Sequence, residues 1–260
     1  MTLVYYRGTY EPPAANLPPV EEITISSAPV QGFEEILPTR EGLLLLDDDH
    51  FNNFDEEEIN ILLARVADRG YTIELLDDRQ QLAGKLNDAD TFVVILPLRS
   101  YTKEEVDTVE EFVDKGGKLL LVGDPGRPSN INSLARGFGI VFQPGYLYNV
   151  FEHDLNFQNI FVKDFRPDEI TQGLGQVALY NAGPIESSGI QLATTDSNTY
   201  SSMVQRTEAF SPLVKGRDGR VLAISDLTFM ISPNNSVWDN ERFIANLADY
   251  LTKSERVLFE

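Results

Sequence analysis

Carboxylates and one histidine that stand directly after an apolar run are the residues of this chain best suited to chemistry. Four leucines, 43–46, lead into three aspartates and then His50. Asp47 and Asp49 could serve as nucleophile, acid or metal ligand, with His50 as a general base. The favoured interpretation is structural, because aspartate caps helices and bonds to nearby backbone, and His50 would then anchor the turn.

Two further aspartates follow apolar runs later in the chain. Asp124 comes after Leu-Leu-Leu-Val-Gly, and Asp226 comes after Leu-Ala-Ile-Ser. If these runs are parallel strands, their carboxyl ends meet at one edge of a sheet. Hard cations such as Mg²⁺ and Ca²⁺ prefer oxygen ligands, so Asp47, Asp49 and Asp124 could together hold a metal ion. Local capping by aspartates is the alternative, and it is favoured in so acidic a chain.

The ligand-binding candidates also include two arginines and an asparagine. Arg99 and Arg127 each lie shortly beyond a predicted strand, where a guanidinium could clamp an anionic small molecule. Asn53 follows His50 closely. Pairing of the arginines with the surrounding aspartates is the favoured alternative. The acidic segment 55–58 is interpreted as a solvated helix start.

Three catalytic patterns fail along the chain. The leucines followed by Asp-x-Asp resemble the first motif of haloacid-dehalogenase-type phosphatases, but Asp124 is followed by Pro-Gly-Arg-Pro, without the second acid of that family. A phosphoacceptor receiver fails as well, because the third predicted strand ends in Pro97. No Gly-x-Ser-x-Gly occurs, so a serine nucleophile elbow is absent from the sequence.

The composition excludes several classes of protein. The 260 residues include 41 acidic and 21 basic ones, which gives a formal net charge of −20. Such a charge repels nucleic acid and anionic membrane surfaces, so nucleic acid is not an expected partner. The chain has no cysteine, which excludes disulfides, thiolate metal sites and cysteine nucleophiles.

The spacing of apolar residues predicts the elements that carry these side chains. Residues 42–140 alternate short apolar runs, typical of strands buried on both faces, with amphipathic helices. Capping boxes predict helix starts at Asp55, with Glu58, and at Thr102, with Glu105. The alternation predicts an α/β fold with a flavodoxin-like, doubly wound, mostly parallel sheet. Ligands of such sheets bind beyond the carboxyl ends of the strands.

The remaining segments differ in character. Residues 141–214 lack helical periodicity and predict a β-rich insertion or subdomain within a single domain, 41–252. Prolines and tyrosines in 1–40 predict an extended arm, and 253–260 a short tail. No run of apolar residues in the sequence is long enough for a membrane helix.

Several segments together resemble a known but uncharacterised family. They are Leu-Leu-Leu-Leu-Asp-Asp-Asp-His-Phe-Asn-Asn-Phe, Ala-Asp-Thr-Phe-Val-Val-Ile-Leu-Pro, Phe-Val-Asp-Lys-Gly-Gly-Lys-Leu-Leu-Leu-Val-Gly-Asp-Pro and Val-Leu-Ala-Ile-Ser-Asp-Leu-Thr-Phe. That family belongs to the class I glutamine amidotransferase-like superfamily. It is similar to the soluble domains of gliding-motility and ABC-transporter auxiliary proteins. The likeness covers most of 40–252.

The resemblance implies a domain of a membrane-anchored protein, often outside the cytoplasm, with a cytoplasmic location left open. It implies a membrane anchor before residue 1, with or without another after Glu260, or else a membrane-protein partner. Amidotransferases place a nucleophilic cysteine on a tight turn after a core strand, for which 123–126 is the comparable turn here. Because there is no cysteine, we expect a non-catalytic domain that binds a ligand or a partner, without a cofactor. The alternative is a metal-assisted hydrolase that uses Asp47, Asp49 and Asp124 with His50.

Overall fold

The computed structural model describes residues 41–204, 209–253 and 256. All of them belong to Leu37–Glu260, the second of the two units into which the chain divides. The predicted arm lies outside the described residues, and so does most of the predicted tail.

Fourteen strands are formed by the described residues. They are β1 (Gly42–Asp47), β2 (Tyr71–Leu76), β3 (Thr91–Ile95), β4 (Lys118–Val122), β5 (Ile140–Phe142), β6 (Leu147–Asn149), β7 (Asn159–Val162), β8 (Asp164–Phe165), β9 (Val177–Tyr180), β10 (Ile185–Ser187), β11 (Ile190–Thr194), β12 (Thr199–Ser201), β13 (Leu213–Gly216) and β14 (Val221–Ile224).

Five α-helices accompany these strands in the described part of the chain. They are α1 (Glu56–Asp68), α2 (Leu82–Asp88), α3 (Lys103–Asp114), the single turn α4 (Asn132–Ala135) and α5 (Asn240–Leu251). Short 3₁₀ turns occur at Arg79–Gln81, Arg136–Phe138, Arg217–Gly219, Thr228–Met230 and Asn234–Ser236.

Eight of the strands form one sheet in the order β2-β1-β3-β4-β14-β13-β11-β8. The first five are parallel, and β13, β11 and β8 continue the sheet in antiparallel fashion. The order β2-β1-β3-β4-β14 is that of a flavodoxin-like sheet, with parallel neighbours on both sides of β1. The predicted fold class is confirmed. The carboxyl ends of β1, β3, β4 and β14 therefore share one edge, which we call the carboxyl edge.

Helices cover both faces of the sheet. Leu44 and Leu46 of β1 pack in one core with residues of α1 and α5, whereas Leu45 packs in the other with residues of α2 and α3. Successive side chains of a strand point to opposite faces, so a strand covered on both sides must be apolar at every position. This arrangement explains the four consecutive leucines.

Both predicted capping boxes form. The Asp55 amide donates to Glu58 Oε2 over 2.9 Å, and the Thr102 amide donates to Glu105 Oε2 over 2.6 Å. Each pair satisfies amide groups that have no partner within the helix, and it fixes the start of the helix next to the carboxyl edge.

Short strands dominate the segment 141–214. Three pairs form separate two-stranded sheets, namely β10 with β5, β12 with β6, and β7 with β9. The others, β8, β11 and β13, extend the main sheet. The segment is thus partly integrated into the main sheet.

The described residues contain no helix that is both long enough and apolar enough to span a membrane.

Candidate functional site

Asp47 and His50 form a buried pair at the end of β1. His50 Nδ1 donates to Asp47 Oδ1 over 2.9 Å, and both side chains are fully buried. The other carboxylate oxygen, Oδ2, accepts the Tyr101 hydroxyl at 2.7 Å and the Asn52 amide at 3.3 Å. The Asp47 carboxylate is thus held by three side chains, all bonded inside the protein.

The His50 ring is enclosed as well. It stacks on the Tyr101 ring with 3.8 Å between centroids and 8° between planes. Its Nε2 atom has no hydrogen-bond partner among the described residues, and Glu105 Oε2 lies 3.8 Å away. Burial, together with the Asp47 carboxylate, raises the pKa of Tyr101 well above its ordinary value. The enclosed His50 ring cannot contact a substrate in solvent unless the surrounding side chains move apart.

Arg99 and Asp49 form an ion pair near the buried Asp47 and His50. Arg99 Nη1 donates to Asp49 Oδ2 over 3.1 Å, and its guanidinium lies 4.3 Å from the centre of the exposed Phe51 ring. Arg79 approaches the same carboxylate at 3.7 Å. Asp49 is therefore already paired with two cations.

Arg127 reaches back to the start of α1. Its two terminal nitrogens donate to the two oxygens of Glu58, and Nη1 also donates to the Asn53 carbonyl at 3.2 Å. The bond to Arg127 lowers the pKa of Glu58 below its usual range. Segment 55–58 is thus more than the solvated helix start that the sequence suggested. Asn53 takes part in this region mainly through its backbone. Its backbone N–H donates to the Leu96 carbonyl at 2.9 Å.

Asp124 and Asp226 lie on either side of Thr228. The Thr228 hydroxyl donates to Asp124 Oδ2 at 3.2 Å, and its amide donates to Asp226 Oδ1 at 2.7 Å. Burial raises the pKa of Asp124, and burial and the charge of Asp124 raise that of Asp226 well above its usual range. Asp226 also accepts the Tyr180 amide at 2.6 Å and is fully buried.

The acidic residues of the carboxyl edge thus fall into separate groups. Asp47 bonds to His50, Asp49 to Arg99, and Asp124 to Thr228. Within the described ranges, no three His, Asp or Glu side chains are placed so that they could hold a metal ion. The structure does not bring Asp47, Asp49 and Asp124 together as a set of metal ligands.

A cavity of about 260 Å³ opens at the ends of β4 and β14. Asp124 and Arg127 supply its charged groups, Gln143 an amide, and Phe142 an aromatic wall. The rest of the lining is formed by Gly123, Pro125, Ser129, Ile131, Asn132, Pro144, Gly183, Pro184 and Ser225. Gly123 has no room for a side chain, since a Cβ there would lie 2.6 Å from the Phe142 ring. We call this space the Asp124 cavity.

Strained residues of the edge follow β1, at Phe51, and β3, at Leu96, instead of β4. Leu96 has φ of 46°, a left-handed conformation that branched side chains rarely adopt, and it is fully buried. Residues 123–126, which the sequence suggested as the comparable turn, have no positive φ. At both strained positions the chain carries an apolar side chain without a nucleophile.

Four residues of this region escaped the sequence interpretation. Tyr101, Leu96 and Gln143 carry no local signal, since their roles depend on contacts with distant segments. Thr228 follows Asp226 by two residues, a spacing typical of aspartate bonding to its own backbone, and this signal could have been found.

A comparison with known families identifies the chain. The model of the family described as Domain of unknown function (DUF4350) matches residues 65–248. The chain belongs to this family. The match confirms the prediction of an uncharacterised domain family. A comparison of the DUF4350 chain with curated proteins gave no match.

Solved structures agree with the fold of this DUF4350 chain. The N-terminal domain of mmIFT52 superposes with a TM-score of 0.67 at 15% identity, covering 82% of this chain and 99% of that one. A ThuA-like protein from Bacteroides uniformis gives a TM-score of 0.51 at 11% identity, covering 85% of this chain and 95% of that one. At these identities the likeness shows the fold alone, and it agrees with the flavodoxin-like sheet.

Proposed function

We propose that this DUF4350 domain is a non-catalytic, amidotransferase-like binding domain whose ligand occupies the Asp124 cavity. The proposal rests on a contrast between two sets of residues at the carboxyl edge. Asp47 and His50, the groups best suited to catalysis, are fully buried and bonded to each other, whereas Asp124 lines a cavity. Ligands of doubly wound sheets bind at this edge, beyond the ends of the parallel strands.

The lack of a nucleophile supports a binding role. The chain has no cysteine, and the strained turn after β3 presents the buried Leu96. The likeness in fold to a ThuA-like protein supports placing the domain in the class I glutamine amidotransferase-like superfamily. A member without the thiolate keeps the sheet and its edge but cannot form the covalent intermediate of glutamine hydrolysis.

A thermal-shift experiment tests ligand binding in the cavity. The probes are choline, ethanolamine, glycerol, erythritol, lactate and phosphate, and the proteins are the wild type, Pro144→Phe and Pro167→Phe. Pro144 lines the cavity, so phenylalanine there fills part of it, whereas Pro167 is exposed elsewhere. We expect at least one probe to raise the Tm of the wild type and of Pro167→Phe, and to leave that of Pro144→Phe unchanged. A panel without any shift, or a shift that survives in Pro144→Phe, contradicts the proposal.

The proposal extends to a membrane-associated assembly, with an ABC-transporter subunit as the partner or the protein's own membrane anchor as the link. Its support is the sequence resemblance to auxiliary domains of such proteins. The test is fractionation and chemical crosslinking of the native full-length protein in its own cells. We expect it to sediment with membranes and to crosslink to a transporter subunit. Full-length protein that remains in the supernatant overturns this part.

A further inference from the structure

We propose that the ligand of the Asp124 cavity is a small organic ammonium compound, with its cationic group against the Asp124 carboxylate. This inference rests on the proposed function and adds the chemical class of the ligand. It depends on the balance of charge around the cavity, on the second acid behind Asp124, and on the shape of the walls.

Asp124 is the carboxylate of the lining. It is 7% exposed, and the described residues offer it no ion pair. Its oxygens accept from the Gly126 amide at 2.8 Å, the Thr228 hydroxyl at 3.2 Å and the Leu227 backbone. A carboxylate has about four acceptor positions, so these three bonds leave room for a ligand.

Arg127 is the cation of the lining, but Glu58 neutralises it. Both oxygens of Glu58 accept from Arg127, and the bond keeps Glu58 ionised by lowering its pKa. A guanidinium held in this two-point geometry has no free pair of donors for an anion, and its charge also acts on Asp124, whose pKa it lowers. An anionic ligand would therefore meet the Asp124 carboxylate without a free two-point partner in the lining.

Asp226 strengthens the preference for a cation. It lies behind Asp124, across Thr228, and is fully buried. Burial, and after it the charge of Asp124, raises the pKa of Asp226 well above its usual range. A cation in the cavity would lower both the repulsion between the two carboxylates and the free-energy cost of burying the Asp124 charge.

The walls favour an ammonium with a compact apolar body over a hydrated metal ion. Phe142, Ile131 and Pro184 line the cavity together with Pro125 and Pro144. An aromatic face attracts ammonium groups, including those whose methyl groups leave no N–H to donate. The volume of about 260 Å³ suits a small molecule.

The test compares the binding of a cation with that of its uncharged isostere. Choline and 3,3-dimethyl-1-butanol have the same shape and differ in the charge on one central atom. Calorimetric titration of the wild type should give binding of choline at least ten times tighter than that of the alcohol. Because Asp124 must lose its proton, choline affinity should rise with pH through the Asp124 pKa and level off above that pKa. Arg127 and Asp226 are the other titratable groups close to Asp124.

Matched variants assign the effect to one carboxylate. Asp124→Asn should weaken choline binding at least tenfold, while Asp48→Asn, an equal change of net charge at an exposed position of the same edge, should stay within twofold. Asparagine can still accept from Gly126, so we expect this variant to fold. If the variant does not fold, the comparison of choline with the alcohol in the wild type still tests whether the cavity prefers a cation.

The outcomes separate this inference from the proposed function. Equal binding of choline and the alcohol, or tighter binding of lactate or glycerol that Pro144→Phe abolishes, overturns the ammonium class while the cavity remains a binding site. Absence of binding by every probe overturns both. Sedimentation with phosphatidylcholine vesicles that Asp124→Asn abolishes would identify a lipid head group as the ammonium source. Binding of choline without such sedimentation identifies a free compound.

Discussion

Arg69 Nε donates to Asp249 Oδ1 over 2.8 Å and thereby joins the end of α1 to α5. The arginine side chain is fully buried, and its terminal nitrogens also donate to the Arg65 carbonyl at 2.7 Å and the Ala245 carbonyl at 3.4 Å. One side chain thus connects the two helices that cover the same face of the sheet.

We expect Arg69→Met to lower the free energy of unfolding by about 2 to 4 kcal/mol, because it removes these bonds and leaves Asp249 without this partner. Urea denaturation followed by circular dichroism measures the change. Lys103→Met is the control, since it breaks an exposed pair with Asp107 within α3. That variant should unfold with the wild-type midpoint. Equal stability of Arg69→Met and Lys103→Met would show that the buried arginine does not hold α1 to α5.

Replacement of His50 should affect stability, in keeping with a structural role. His50→Ala removes the Nδ1 donor to Asp47 and the ring stacked on Tyr101. We expect a loss of about 2 to 4 kcal/mol in denaturant unfolding, because a buried carboxylate loses a donor and a cavity forms. Tyr101→Phe keeps the ring and removes the hydroxyl donor alone, so its loss should be smaller, about 1 to 2 kcal/mol. A His50→Ala protein as stable as the wild type contradicts the structural role.

The Glu58 pair should make part of the stability depend on pH. The pKa of Glu58 is lowered in the folded protein, chiefly by its bond to Arg127. Its contribution is therefore complete above the unfolded value of 4.5 and is lost as the pH falls through the folded pKa. Glu58→Gln should cost about 1 to 2 kcal/mol at pH 7 and almost nothing at low pH.

Unfolding of Glu58→Gln and the wild type across this pH range measures the difference. Glu56→Gln, an exposed change in the same first turn of α1, is the control and should follow the wild type at every pH. A difference that stays constant from pH 7 to low pH would mean that the Arg127 bond is not its source.

Two glycines should respond to alanine in opposite directions. Gly84 lies inside α2 with no atom within 4 Å of a new Cβ, so Gly84→Ala should stabilise the protein by about 0.5 to 1 kcal/mol. At Gly117 a Cβ would lie 2.3 Å from the buried Phe112 ring, so Gly117→Ala should cost about 1 to 3 kcal/mol. Thermal unfolding of the two variants provides the measurement. A stabilising Gly117→Ala would show that Phe112 moves aside freely.

Local patterns were reliable where the cause of a structure is local. The capping boxes at Asp55 and Thr102 join residues three apart, so they could be recognised in the sequence before any packing was known. The four leucines of β1 indicated a strand covered on both faces. The parallel sheet was predicted from the alternation of such runs with amphipathic helices, and the structure supplied the order of its strands.

Polar side chains were less predictable when two segments compete for them. Asp239 and Asn240 stand at the start of α5, where either side chain could cap the helix. Asp239 instead accepts the Gly175 amide at 2.7 Å, and Asn240 bonds to both backbone groups of Ala178 in β9. Backbone groups on the edge of β9 that does not pair with β7 outcompete a helix end that water can solvate.

The sequence by itself determined the sheet, its helices and the edge where the acidic residues collect, because periodicity and capping act within a few residues. It also excluded a cysteine nucleophile. Only the tertiary structure decided that Asp47 bonds to His50 while Asp124 faces a cavity, and that Glu58 pairs with Arg127. Whether such bonds form inside the protein or a carboxylate faces a cavity depends on segments tens of residues away, such as Tyr101 for Asp47 and Arg127 for Glu58, and on the free energy of burying the charge.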